Sequence, residues 1–257
     1  MRIRATVAAV SGALVLSALA VPSAQAATDS EGDTKITKVV VNGGKNVAVG
    51  TSTAKTFSVS VTATDNSGIA GLDDDLLWLQ GPGFGMLTPT GASTCTRVSA
   101  TTSTCTANFT VDPKTDLAYS NNMAGTWYVN VWVDAKDGDY ASVDKGYPFK
   151  LQRSSKLTTN ASPEPVVKGK TITVTGKLTR ANWDSFTYTG YGFQPVKLQF
   201  KKAGTSTYTT VKTINTNSTG NLSTTVTAAS DGYYRYSFAG TTTTPAVSAT
   251  GDYIDVK

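Results

Sequence analysis

Apolar and polar residues alternate one for one through much of this chain, and that period excludes a helical core. Strand side chains point alternately to two faces, so a two-residue repeat marks a sheet with one buried face and one wet face. Phe57, Val59, Val61 and Ala63 alternate with Ser58, Ser60, Thr62 and Thr64. Trp127, Val129, Val131 and Val133 alternate with Tyr128, Asn130, Trp132 and Asp134. Ile172, Val174 and Leu178 continue the pattern, as do Val196, Leu198 and Phe200 between Lys197, Gln199 and Lys201. The spacing predicts strands over 36–41, 55–65, 76–80, 94–98, 103–111, 126–134 and 140–151. Beyond the 172–178 and 196–201 runs, it predicts others over 207–214, 221–228, 232–239 and 252–257. Gly and Asn mark turns at 203–205, 217–220 and 230–232, where the backbone needs a positive φ.

About seven short strands per hundred residues, with no amphipathic helix, is the pattern of an immunoglobulin-like β-sandwich. The 257 residues hold two of them. The polar, proline-ended stretch RSSKLTTNASPEP (153–165) reads as the linker between a module over 27–152 and another over 166–257. Charge divides at the same place. Residues 27–152 carry nine Lys/Arg and thirteen Asp/Glu, whereas residues 153–257 carry twelve and five. Opposite net signs give two different surfaces that can dock on each other.

Residues 1–26 read as a cleaved secretion signal. Arg2 and Arg4 precede an apolar stretch from Val7 to Val21, and Ala24-Gln25-Ala26 supplies the small-x-small cleavage pattern, which puts the mature start at Ala27. No later segment is apolar enough for a membrane span, so the expected product is secreted and extracellular. Cys95 and Cys105 are the only cysteines, and an even count in an exported chain favours a disulfide. A turn near Ala100 would set them opposite each other on paired strands. Cys105 shares parity with Ala107, Phe109 and Val111, which puts the bridge on the core side.

The run GFQPVKLQFKKAGTSTYTTVKTINTNSTGNLSTTVTAASDGYYRYSFAGTTTTPAVSATGDYIDVK (192–257) resembles a module of exported actinobacterial proteins. TATDNSGIAG and WYVNVWVDAKDGDY in the first module are similar to bacterial immunoglobulin-like repeats. The resemblance implies tandem immunoglobulin-like modules with an exported accessory role, some relatives being loosely labelled calcium-binding. It carries no catalytic residue.

Three constellations are candidates for function. In the immunoglobulin order, the loops after strands 55–65 and 126–134 emerge at one end. They hold Asp65, Asn66, Asp73, Asp74 and Asp75 on one side and Asp134, Asp137 and Asp139 on the other. Calcium takes roughly six to eight oxygen ligands, which converging carboxylates supply; the plainer account is that Asp and Asn make hydrated turns. Second, Lys197 and Lys201 share outward parity with Tyr233 and Arg235 on a neighbouring strand, extended by Lys202 and Lys212. Such a face suits an anionic wall polymer or, without any recognisable motif, nucleic acid; otherwise it is a solvated sheet face. Third, Trp183, Phe186, Tyr188, Tyr191 and Phe193 crowd one interstrand segment. Exposed rings there would stack on sugars, and buried ones would form a satellite cluster. A chain without histidine excludes Ser-His-Asp and Cys-His catalysis and His-ligated metal. The sequence therefore points to a non-catalytic binding or adhesion protein. Its partner is an extracellular polymer or protein surface, and calcium is the only cofactor the residues suggest. The alternatives are glycan or anionic-polymer binding through the second module, and a purely structural role without a small ligand.

Overall fold

The computed structural model describes residues 27–257, so the expected secretion signal over 1–26 lies outside the described residues. The first module is built from β1 (Ala27–Glu31), β2 (Lys35–Val41), β3 (Val47–Val49), β4 (Lys55–Thr64), β5 (Ile69–Leu72), β6 (Trp78–Gln80), β7 (Met86–Leu87), β8 (Thr94–Arg97), β9 (Thr102–Val111), β10 (Gly125–Ala135) and β11 (Tyr140–Arg153). One sheet has the order β2-β4-β9-β8. The facing sheet runs β1-β11-β10-β6-β7, with β3 beside β11 and β5 beside β10. β3 lies parallel to β11, whereas β10 and β11 are antiparallel. A sheet of first, second, fifth and fourth strands against one of third, sixth and seventh is the immunoglobulin arrangement.

The alternation sets the core. Val59, Val61, Ala107 and Phe109 of one sheet meet Val129, Val131 and Val133 of the other, all buried. Each Val or Phe side chain removed from water here stabilises by about 1.5–3 kcal/mol. Trp127 is fully buried and its Nε1 donates to Met123 O at 2.8 Å. The turn over its indole is glycine by necessity: a Cβ on Gly81 would stand 2.2 Å from Trp127 Cε2. The predicted 76–80 strand begins at Trp78, because Asp73 caps a short 3-10 turn over Asp74–Leu76. Cys95 and Cys105 are paired in register and disulfide-bonded. Cys105 is buried in the core, while Cys95 sits on the exposed edge strand β8.

The second sandwich contains β12 (Ser155–Leu157), β13 (Asn160–Ser162), β14 (Thr171–Asn182), β15 (Thr187–Gly190), β16 (Pro195–Lys202), β17 (Thr209–Asn215), β18 (Asn221–Thr227), β19 (Gly232–Phe238), β20 (Val247–Ser248) and β21 (Asp252–Ile254). β14 centres one sheet, with β13 and β18 along its first half and β12 and β15 along its second. β16 lies between β17 and β19 in the other, with β20 and β21 beyond. Tyr236 locks the two sheets together: its ring is fully buried and its hydroxyl donates to Val174 O at 2.8 Å.

The stretch 153–165 is not a free linker. Arg153 ends β11, and β12 and β13 pair with β14, so the chain passes from one sandwich to the next at Ser154. Its short polar run hid two edge segments whose hydrogen bonds go to β14.

That tight junction brings the modules into contact. The β14–β15 hairpin projects its tip into the first module, where Ala181 and Trp183 join the first hydrophobic core. Trp183 is fully buried, and its Nε1 donates to Gly50 O at 2.9 Å. Asn121 Oδ1 accepts from Trp183 N at 2.9 Å, and Asn121 Nδ2 donates to the Asp184 carboxylate. Arg153 is 7% exposed and donates from Nε to Ala181 O, while Gln152 Nε2 donates to Thr241 O at 2.8 Å. Burial and the nearby Arg180 push the Arg153 guanidinium down to about 10, still charged at neutral pH.

Candidate functional site

The acidic end forms where the immunoglobulin order places it, with a different membership from the one expected. Asp65, Asp139 and Asp33 bring carboxylate oxygens within 4.8 Å of one another. Asn66 Nδ2 donates to Asp33 Oδ2 at 3.0 Å. Asp33 was not among the sequence candidates. It lies in the β1–β2 turn, and β1 carries too little apolar pattern to be read as a strand. The position of Gly32 was the available signal: a Cβ there would fall 1.5 Å from Asp139 Oδ2, so the turn is a cradle for that carboxylate.

Asp65 is the structural centre of this group, at 3% exposure. Burial pushes its carboxyl up, but the Ser67 and Thr34 hydroxyls, Ser67 N–H and Asp33 outweigh it and hold the group at about 2. The Ser67 hydroxyl and N–H donate to Oδ1 at 2.6 and 2.7 Å, and Thr34 donates to Oδ2 at 2.7 Å. Donors to the ionised form favour it over the neutral acid. The other predicted acids are engaged separately. Asp73 caps the 3-10 turn, with Asp75 contributing its N–H; Asp74 accepts from Ser93 N at 3.0 Å. Asp134 accepts from Trp132 Nε1 at 2.8 Å, and Asp137 accepts from Asp139 N at 3.3 Å.

The basic face of the second module assembles on β16 and β19. Lys201 pairs with Tyr233, and Gln199 with Arg235, so their side chains share the outer surface of that sheet. Tyr208 joins them from the β16–β17 loop. The Arg235 guanidinium lies 3.7 Å from the Tyr208 ring centroid, and Lys201 Nζ lies 4.4 Å from that of Tyr233. Gln199 Oε1 fixes Arg235 Nε at 2.9 Å. Ring faces, not carboxylates, hold these cations: among the described residues the one ion pair is Lys257–Asp255. Lys197, on the same face, is exposed. Tyr253 packs at a tilt against Tyr233, ring centroids 5.1 Å apart, and there partial burial, with Asp231 and Asp255 nearby, pushes its phenol up. Lys212 is not part of the surface. A register shift in β17 turns it toward β18, where Nζ donates to Thr225 O at 2.7 Å.

The expected aromatic platform does not form. Trp183 is enclosed in the first core and offers no ring face to a sugar. Tyr188 packs against that core beneath Lys156, whose Nζ lies 3.8 Å from its centroid. Phe186 meets Tyr119 edge-on, and Tyr191 lies between Phe238 and Arg180. Phe193 alone of the five is widely exposed, at 74%. A hairpin alternates its side chains, so its rings scatter to two faces.

No protein-family model matches the chain, and no curated protein matches it. Among solved structures, a domain of intimin matches over 84% of this chain and 99% of its own, at 14% identity and a TM-score of 0.28. A DUF4785 family protein from Legionella pneumophila matches over 77% of this chain and 51% of its own, at 13% identity and 0.38. The Yersinia pseudotuberculosis adhesin InvE matches over 84% of this chain and 58% of its own, at 15% identity and 0.28. Similarity at these scores carries no argument, so fold and function rest on this chain's own strand order and side chains.

Proposed function

We propose that the chain is an extracellular, non-catalytic binding protein of the adhesion type that holds an anionic polymer on the outer face of its second sandwich. The observation that carries this reading is the Lys201–Tyr233–Tyr208–Arg235 cluster, whose cations lean on aromatic rings and keep their charge available. Guanidinium and ammonium groups preset on a flat sheet suit a phosphate- or carboxylate-bearing chain. The disulfide fits an oxidising, extracellular setting. Non-catalytic action fits the absence of histidine from the sequence, which removes Ser-His-Asp and Cys-His chemistry. Binding to soluble polyglycerol phosphate is expected to weaken roughly twentyfold as salt rises from about 50 to 200 mM, the slope that three cations give on a single-stranded polyanion. The triple variant Lys197→Gln, Lys201→Gln, Arg235→Gln is expected to lose this binding. Binding that ignores salt, or survives in the variant, overturns the proposal.

A second reading is favoured by the carboxylate cluster: calcium holding the β1–β2 turn against the loops after β4 and β10. The donors fit a hard cation, because Asp33, Asp65, Asp139 and Asn66 all offer oxygen. Saturating calcium at about a hundred times its dissociation constant would add about 2.7 kcal/mol of stability. Thermal melting in calcium against EDTA, at fixed ionic strength, is expected to show a rise of several degrees that Asp33→Asn abolishes. An unchanged midpoint reduces these aspartates to turn residues.

A further inference from the structure

The outer face of the first module's larger sheet carries a second surface, unlike the basic one in chemistry. Leu77, Leu79, Val131 and Val133 point inward, so Trp78 and Trp132 point outward. Trp78 stands opposite Asn130, and Trp132 is two residues farther along the same strand. The indoles are therefore diagonal neighbours on adjacent strands, about 7–8 Å apart at the backbone. Between them lies an open cavity of about 240 Å³, bordered by Leu76, Asn130, Ser142 and Asp144. A second, of about 380 Å³, shares Trp78 and Asp144 with it and continues past Gln80 to Phe84 and Met86. The two form a trough across β11, β10, β6 and the turn before β7.

The trough is set before any ligand arrives. Tyr140 stacks on Trp132 with centroids 4.1 Å apart and planes 16° from parallel, and Asp134 holds the indole N–H. The floor is satisfied: Asn130, 1% exposed, accepts from Lys145 N at 2.7 Å and donates to Trp78 O at 3.4 Å. What remains for a ligand is ring surface, with the exposed carboxylate of Asp144 and amide of Gln80 at the rim. Phe84, fully exposed, and Met86, 65% exposed, extend the apolar floor.

We infer that this trough binds a neutral polysaccharide chain. Rigid aromatic faces receive the C–H faces of sugar rings with little loss of rotamer freedom, and a carboxylate and an amide at the rim take hydroxyls in both donor and acceptor senses. Neither cavity is lined by lysine or arginine, and the one charge is Asp144, so an acidic chain is repelled. Two connected cavities on a flat sheet suit an extended chain of rings rather than a single compact ligand. This site is independent of the basic face on the second module.

The four tryptophans make the test selective. Trp127 and Trp183 are fully buried, so sugar-induced changes in emission report on Trp78 and Trp132. The full chain is titrated with cellohexaose, chitohexaose and soluble β-1,3-glucan, and retention on insoluble cellulose and chitin is measured in parallel. At least one of these is expected to shift the emission and retain the protein, with little change in about 0.5 M salt. Trp78→Ala and Asp144→Ala are each expected to weaken binding about tenfold, with melting temperature and Lys201→Gln, Arg235→Gln controls unchanged. Failure of every saccharide overturns the inference, as does binding that survives Trp78→Ala. Concentration-dependent dimerisation abolished by Trp78→Ala, without saccharide binding, assigns the trough to a second copy of the chain and also overturns it.

Discussion

Trp183→Ala is expected to cost about 3–5 kcal/mol and to separate the unfolding of the two sandwiches. The indole comes from the second module yet is fully buried in the core of the first, with its N–H on Gly50 O. Truncation leaves a cavity there and removes the donor to that carbonyl. It also weakens the anchorage of the β14–β15 hairpin, although Ala181 and Tyr188 on the first core, the Asn121 contacts, and the Arg153 and Gln152 hydrogen bonds still link the modules. The measurement is urea unfolding followed by fluorescence and far-ultraviolet circular dichroism. The remaining tryptophans, Trp78, Trp127 and Trp132, all lie in the first module, so fluorescence then reports that module alone. The two probes should coincide in the parent chain and diverge in the variant. Coincident, unshifted curves would mean that the buried indole contributes no coupling.

Removing the disulfide has the next largest expected effect. Cys95→Ala with Cys105→Ala should cost about 2–3 kcal/mol on the chain-entropy account, equivalent to roughly 5–10 °C in Tm for a protein of this size. The loss should be local. β8 is a four-residue edge strand, exposed along its whole length and paired on one side, to β9. Hydrogen exchange at Thr94–Arg97 should therefore accelerate before that of β4 or β9. An unchanged midpoint would show that the hairpin holds itself.

Much of the architecture was legible because a sheet with one wet face writes its period into the chain. β4, β9, β10 and β11 fall within two residues of the expected bounds, and the disulfide joins the expected pair. The strands that escaped notice, β1, β3, β12 and β13 among them, are short edge pieces whose side chains are largely exposed or too few to show a period. Of the candidate residues, Lys201, Tyr233 and Arg235 share a face because parity and strand order were both readable. Tyr208 and Asp33 were not readable, since each reaches its site from a loop.

What the sequence determined alone is the all-β class, the two sandwiches, the outward basic face and the absence of histidine chemistry. These follow from local periodicity and composition, which need no knowledge of distant contacts. The tertiary structure decided which residues meet across long separations. It sent Trp183 into the other module, gathered Asp33 with Asp65 and Asp139, and left Trp78 and Trp132 half-exposed on one surface. An aromatic side chain carries the same letter whether it plugs a core or lines a trough, and only the packing around it tells the two apart.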